Sequence, residues 1–306
     1  MRRVDRSPGK IILSGEHSVV QGCPALVMAV NLYAEASYTS LTDPILRLKL
    51  PERPAGNFNL KELSRCLEHT QELHQQGKTI DPEALLAACA ALTNPEEGAC
   101  ITFKSTIPLG AGLGSSAAFI LALLKVLKPQ STKEQLYAWA VEGETFQHGT
   151  SSGLDVAASL EEGLLFFQSG KSKALPDITL PEFTIYDSGR PESRTGECVD
   201  VSKKSFRAHP ELTDRFTNVT LETLQALQEQ NTESWATAVQ ENHRLLCELG
   251  VVPKRIQLEI SKLADAGFSA KICGAGSIRG SKAGMILVEG DGPHPVPTEW
   301  EKISTH

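Results

Sequence analysis

The sequence predicts an α/β (α+β) protein of two layered domains, and three observations carry that prediction. Its 306 residues are enough for two domains, each with its own core. Short apolar, β-prone runs alternate with amphipathic helical stretches in both halves. A glycine-rich segment at 108–116 joins one such strand directly to an apolar helix. The polar, proline-bearing stretch 169–181 is the best boundary, and it divides the chain into 1–180 and 181–306.

Lys10 to Leu13 and Ala25 to Val30 read as strands, followed by Tyr33 to Ser40 and by Ile45 to Leu50, the last bounded by Pro51 and Pro54. Leu60 to Gln76 has the apolar spacing of an amphipathic helix, and Pro82 can begin a short Ala-rich one that reaches Leu92. Ala99 to Ser105 is a strand feeding the glycine loop, and Ala117 to Leu127, apolar nearly all round, is a buried helix. A helical run from about Lys133 carries Glu144 and breaks at Gly149. After Asp155 another ends near Gly163, and Leu164 to Gln168 returns as a strand. The second half reads as strand Phe183 to Asp187, then helices at about Leu212 to Gln228, Thr232 to Leu249 and Pro253 to Ala266. Strands Ala270 to Cys273 and Met285 to Glu289 flank a last glycine loop. The polar end, 290–306, is left between a short strand and disorder.

Three segments carry chemistry. In Pro108-Leu-Gly110-Ala111-Gly112-Leu113-Gly114-Ser115-Ser116, the glycines can take backbone angles closed to other residues and let main-chain N–H groups approach an anion. Ser115 and Ser116 are expected to cap a helix beginning at Ala117, whose positive end then faces phosphates. No Lys follows Gly114, so this is not a Walker loop. In Ser7-Pro-Gly-Lys10-Ile-Ile-Leu-Ser-Gly15-Glu16-His17, Lys10 is expected at the strand's mouth, and Gly15 turns the chain so that Glu16 and His17 are presented together rather than packed away. In Glu142-Gly-Glu144-Thr-Phe-Gln-His148-Gly-Thr-Ser151-Ser-Gly-Leu-Asp155, a carboxylate on a helix is followed by an Asp after a Ser-Gly turn, which alone could simply cap the next helix.

Together these segments resemble the motifs of the GHMP small-molecule kinases, and the spacing is most similar to the mevalonate kinase branch. The first motif is matched at every position from Pro8 to Leu26, the phosphate loop from Pro108 to Ala118, and the catalytic segment by Glu144, His148-Gly149 and Ser152-Gly153-Leu154-Asp155. The helix Glu241-Asn-His-Arg is similar to the one before the family's last motif. That motif, Lys271-Ile-Cys-Gly274-Ala275-Gly276-Ser277, departs afterwards, because Ile278-Arg279-Gly280-Ser281-Lys282 stands where further glycines are usual.

The resemblance implies an N-terminal ribosomal-protein-S5-like domain that binds ATP and a C-terminal ferredoxin-like domain, with the active site between them. It implies phosphorylation of a small alcohol, mevalonate to 5-phosphomevalonate on the route to isoprenoids, with ATP and Mg²⁺. By carry-over the loop from Pro108 to Ser116 holds the triphosphate, and Ser116 and Glu144 hold Mg²⁺, a hard ion suited to those oxygens. Asp155 orients the acceptor alcohol, either as a base that takes its proton or as an electrostatic positioner, and Lys10 stabilises developing charge. Glu16, His17, Thr195, Gly274 and Ala275 face the substrate, with Arg194 a cation for its carboxylate. Phosphomevalonate is the second acceptor, since Asp155-Val-Ala-Ala resembles the ending seen in phosphomevalonate kinases. A galactokinase-like sugar segment is absent near the N-terminus.

Two readings from other classes compete. Gly149-Thr-Ser151-Ser-Gly153 satisfies the Gly-x-Ser-x-Gly elbow of serine hydrolases, with Asp187 or Asp200 and His243 downstream. An elbow needs a strand before it, whereas 134–144 reads as helix. A nucleotide-sensing binder would explain the altered last loop, but not the retention of Lys10, Glu144 and Asp155 together.

A net charge of −7 and a pI near 5.7 give no basic face for nucleic acid or an anionic membrane. No apolar run reaches membrane-spanning length, and the start lacks the apolar segment of a signal peptide. The seven Cys are scattered with no Cys-x-x-Cys, which points to reduced thiols in a cytoplasm. Oligomeric state is left open, a homodimer being compatible.

Overall fold

The computed structural model describes residues 2–148 and 151–304. The chain folds into two compact units that interleave along the sequence. One takes residues 1–9, 31–108 and 114–162; the other takes 10–30, 109–113 and 163–306.

In the first unit, strand β5 (Ala99–Ser105) pairs antiparallel with Ala34–Ser40 of the long β2 (Ala25–Ser40) and parallel with β3 (Ile45–Lys49). A short β4 (Gly56–Asn59) closes the other edge of β3. Two strands expected on either side of Asn31 are one continuous strand, because Asn31 and Leu32 keep extended backbone and only alternate faces. Five helices accompany this sheet: α1 (Leu63–Gln75), α2 (Pro82–Ala91), α3 (Ser115–Leu127), α4 (Lys133–His148) and α5 (Leu154–Glu161). A single 3₁₀ turn, Leu60–Glu62, with Asn59 accepting from the Lys61 N–H, supplies the first residues of the expected 60–76 helix. Helix α3 buries Ala117 to Leu124 without a break, so it is a core helix and not an amphipathic one. Each fully buried Leu or Ile there contributes about 1.5–3 kcal/mol. Gly143 lets α4 approach α2 closely, since a Cβ there would lie 2.5 Å from Cys89 Sγ.

The second unit holds a four-stranded antiparallel sheet in the order β11 (Glu301–Ile303), β8 (Phe183–Asp187), β10 (Met285–Glu289), β9 (Ala270–Cys273). Helices α6 (Thr195–Ala208), α7 (Glu211–Gln228), α8 (Thr232–Glu248) and α9 (Lys254–Asp265) pack against it through Phe206, Phe216, Leu245, Leu246, Ile256 and Leu263. Residues 25–28 of β2 pair with β6 (Leu164–Gln168), which turns back into β7 (Lys171–Ala174). Ser169 and Gly170 at the tip have φ 49° and 78°, the two left-handed residues a tight hairpin of this kind needs. The segment expected as a boundary therefore begins with a strand. Every residue of β7 is exposed, so no apolar pattern marked it. Strand β1 (Arg2–Ser14) crosses from one unit to the other and becomes wholly buried from Ser7 onward. Among the described residues no helix is long and apolar enough to cross a membrane.

Candidate functional site

The glycine loop is built as a cradle. Gly110, Gly112 and Gly114 take φ of 76°, 90° and 68°, all left-handed, while Ala111 and Leu113 between them are 3% and 1% exposed. The alternation pegs the loop down by its side chains and leaves its glycines as the exposed or half-exposed members. Lys10, 3% exposed on β1, holds this loop twice: its N–H donates to Leu113 O at 2.9 Å and its ammonium to Gly112 O at 3.1 Å. The structure thus buries Lys10 deeper than the strand mouth expected for it. Neighbouring backbone presses close, since a Cβ on Gly112 would lie 3.2 Å from Cys273 O and one on Gly284 would lie 2.7 Å from Ala111 O.

Helix α3 starts at Ser115, not at Ala117, with left-handed Gly114 in the N-cap place and no side-chain cap. Ser115 and Ser116 are therefore first-turn residues and not caps, because the glycine already makes the turn that a serine would otherwise have stabilised. The first ladder bond is Ala118 N–H to Gly114 O at 3.1 Å, so the amides of Ser115, Ser116 and Ala117 stay outside the helix's own ladder. The Ser116 hydroxyl, turned from the cap role, donates to Gln147 Oε1 on α4. Gln147 is three residues after Glu144, so Ser116 is held on the helix face that carries Glu144, itself 4% exposed.

Asp155 stands in the first turn of α5, half-buried, where the helix N-terminus favours a carboxylate. Left-handed Gly153 makes that turn and must be glycine: a Cβ there would lie 2.0 Å from Tyr137 Oη. Ser151 and Ser152 hydroxyls accept from the N–H groups of Gly153 and Leu154, at 3.1 and 3.3 Å, so they shape the same turn. The element before this turn is helix α4, where a hydrolase elbow needs a strand. Gly149 and Thr150, and with them the glycine of the His-Gly pair, lie outside the described residues.

Glu16 and His17 correct the expectation that they would be presented together to the outside. They are 1% and 7% exposed. Gly15, at φ 101°, turns so tightly against the chain that a Cβ would meet Ala25 at 2.6 Å, which drives the two side chains inward. Glu16 forms an ion pair with Lys271 of β9, which is 0% exposed in its side chain and also donates to Ile12 O at 3.3 Å. Burial pushes the Glu16 carboxyl up, against the pull of Lys271. His17 is left-handed at φ 60°, and its Nε2 lies 3.0 Å from Ala275 O, an acceptor that makes Nε2 the protonated nitrogen. Burial lowers its pKa to about 4, so the ring is neutral at physiological pH.

In the second unit, then, Lys10, Glu16, His17, Gly110 to Leu113, Gly274 and Ala275 come together. Thr195 is exposed at the first turn of α6. Arg194 precedes it, and its N–H donates to Glu197 at 2.7 Å. The divergent last loop is a clamp on this region. Ser277 Oγ lies 3.0 Å from Ser193 Oγ, and the Arg279 guanidinium straddles the Glu197 carboxylate at 2.9 and 3.1 Å and reaches Glu192 O at 3.2 Å.

Lys271 escaped sequence reasoning as a site residue, although a lysine inside the apolar strand Ala270-Lys271-Ile-Cys was a signal. The buried trio of Ser14, Thr220 and Asn242 escaped it too: the hydroxyls are 2.8 Å apart and Asn242 Nδ2 donates to Ser14 Oγ at 3.2 Å. Residues so far apart in the chain could not be matched by spacing.

Comparison with known proteins bears on the same segments. The family model described as "GHMP kinases N terminal domain" matches residues 81–163, a span that includes the glycine loop, Glu144 and Asp155. Mevalonate kinase of Pyrococcus furiosus is 27% identical over 294 residues, with 90% of this chain and 87% of that protein covered. Mevalonate kinase of Thermococcus sibiricus is 29% identical over 296 residues with the same coverage. The crystal structure of Methanococcus jannaschii mevalonate kinase superposes with a TM-score of 0.77 at 21% identity, covering 95% of this chain and 91% of that one. The glycine cradle, the helix that follows it and the acidic turn of α5 all fall inside the span that matches the GHMP kinases N terminal domain.

Proposed function

We propose that this chain transfers the γ-phosphoryl group of ATP to the primary hydroxyl of mevalonate, giving 5-phosphomevalonate. The single observation that carries the reading is the run of left-handed glycines ending on a helix whose first amides lie outside its ladder, in a chain whose relatives are mevalonate kinases over most of their length. Such amides favour an anion in just the place where a triphosphate would rest. By chain order, ATP binding falls to residues 1–180 and the remainder of the fold to 181–306.

Phosphoryl transfer asks mainly for charge neutralisation and in-line positioning. Lys10 puts a buried cation on the loop and fixes the carbonyls of Gly112 and Leu113 away from the phosphates, so that N–H groups and not oxygens face the ligand. Asp155 accepts the hydroxyl proton as the bond to phosphorus forms. His17, neutral and latched to Ala275 through Nε2, offers Nδ1 as an acceptor to the substrate. Glu16, engaged by Lys271, holds that turn in place. Thr195, Gly274 and Ala275 belong to the acceptor side.

Ser116 and Glu144 fit Mg²⁺: both are oxygen donors, and Gln147 keeps the serine on the glutamate's face of α4. Among the described residues no group of three or more His, Cys, Asp or Glu could hold a metal, which suits an ion that takes its other ligands from phosphate and water. When bound, Mg²⁺ neutralises charge on the β and γ phosphates. The seven free thiols support a reducing, cytoplasmic setting.

ADP release from ATP and Mg²⁺ should be followed with mevalonate, 5-phosphomevalonate and galactose as acceptors. Turnover with mevalonate is expected. Turnover with 5-phosphomevalonate alone would transfer the function to the second acceptor, and none with any of the three would overturn the reading.

A further inference from the structure

The loop read as a phosphate cradle has two cations beside it that neither the motifs nor the proposed mechanism use. Arg190 follows β8, and its guanidinium lies over Gly110: a Cβ built on that glycine would sit 3.4 Å from Arg190 Nε and 3.9 Å from Cζ. Lys282, in the divergent loop before β10, lays its stem across Gly189, with Nζ 3.1 Å from a Cβ built there. The two segments are tied to each other and to the cradle. Ser188 N–H donates to Gly284 O at 2.9 Å, Gly284 N–H to Gly189 O at 3.1 Å, and Gly284 abuts Ala111.

Both heads are exposed, and among the described residues neither makes a hydrogen bond or ion pair. That contrasts with the rest of this face, where Arg279 is taken up by Glu197. In a chain of net charge −7, two cations on linked segments beside a glycine loop, with carboxylates Asp187 and Glu192 nearby but no ion pair to either, are poised for an anion that is not part of the protein. Arg190 offers a planar fork of donors and Lys282 a point charge, the two forms in which proteins grip phosphate.

We propose that Arg190 and Lys282 are phosphate-binding residues that grip the triphosphate of ATP on the Gly110–Gly112 side of the loop. The proposal rests on the reading of that loop as the nucleotide cradle. It commits to the nucleotide and not to a phosphorylated acceptor because both cations are anchored on segments touching Gly110 and Ala111. The divergent loop thereby acquires a role, since Lys282 is supplied from a stretch where the family usually has glycine.

The test measures binding of ATP and of adenosine by calorimetry, and KM for ATP and mevalonate, in wild type, Arg190→Ala, Arg190→Lys, Lys282→Ala and the double alanine variant. ATP affinity should fall about tenfold in Arg190→Ala, the loss of one charge-assisted contact, and further in the double variant. Arg190→Lys should recover part of it, adenosine affinity should stay unchanged, and the salt dependence of ATP binding should flatten. Equal losses for adenosine and ATP, ATP affinity within about twofold of wild type in the double variant, or a change confined to the acceptor's KM would each overturn the proposal. Wild type binding ATP no better than adenosine would instead sink the cradle reading beneath it.

Discussion

Replacing Lys271 with Met tests whether the turn carrying Glu16 and His17 is held by charge. Lys271 is 0% exposed in its side chain and Glu16 1%, so Met keeps most of the stem's packing and the loss is almost purely that of the ammonium. What remains is a buried carboxylate whose Oε2 already has no hydrogen-bond partner in the fold. Breaking a buried pair in this way costs about 3–5 kcal/mol, while removing both charges is close to neutral. Urea unfolding followed by tryptophan emission is a suitable assay, because Trp235 on α8 is 0% exposed in the same unit. Lys271→Met should lose about 3–5 kcal/mol and Lys271→Met with Glu16→Gln should return to within about 1 kcal/mol of wild type. The sign with pH follows from the raised Glu16 pKa: the folded state holds a proton that the unfolded chain releases, so stability falls as pH rises from 4.5 toward the folded value. Losing Lys271 widens that window upward. A single-variant loss below about 1 kcal/mol, or a double variant no better than the single, would refute the reasoning.

Asp155→Ala should lower kcat by about 10²–10⁴-fold with ATP affinity retained, checked by steady-state kinetics and nucleotide titration; a near-normal rate would remove its role. Glu144→Gln should raise the Mg²⁺ concentration for half-maximal rate, and an unchanged metal titration would dismiss it as a ligand. His17 and His243, both lowered by burial to about 4, are neutral when folded. The unfolded chain binds protons there first, so stability should fall as pH drops from about 6.5 toward 4, by up to about 1.4 kcal/mol per pH unit for each; imidazole resonances titrating near 6.5 in the folded protein would contradict this. Gly276→Ala should destabilise strongly, since φ is 65° and a Cβ would lie 2.2 Å from Val251 O; circular dichroism melting unchanged from wild type would show that the loop relaxes.

Elements with strong periodicity were legible in the sequence: β5, β6, β8, β9 and β10 occupy the residues expected, and helices α7 to α9 differ by one residue at one or both ends. Helix α6, 14 residues long, was not expected, because Thr195-Gly-Glu-Cys-Val-Asp-Val mixes glycine and β-branched residues and its capping glutamate follows an arginine. Tertiary packing on Cys198, Ser202 and Phe206 outweighs that weak propensity. In the site, residue types and order could be read from local spacing, but burial could not. Glu16 and His17 look solvated in a string of letters; only the partners Lys271 and Ala275, more than 250 residues away, turn them inward. Ser116 shows the opposite case, where a near neighbour, left-handed Gly114, took the capping place.

The interleaving of the two units bears on how the chain is made. The first unit is complete once residue 162 has left the ribosome, whereas residues 10–14 of β1 wait for Thr220 and Lys271. Glu16 and Lys271 are 255 positions apart, which at common rates of synthesis is roughly 10–50 seconds during which the acidic turn lacks its ion-pair partner. A nascent chain stalled before β9 should therefore leave Glu16 without Lys271, and a truncation at residue 180 should leave Ser14 without Thr220 and Asn242 as well.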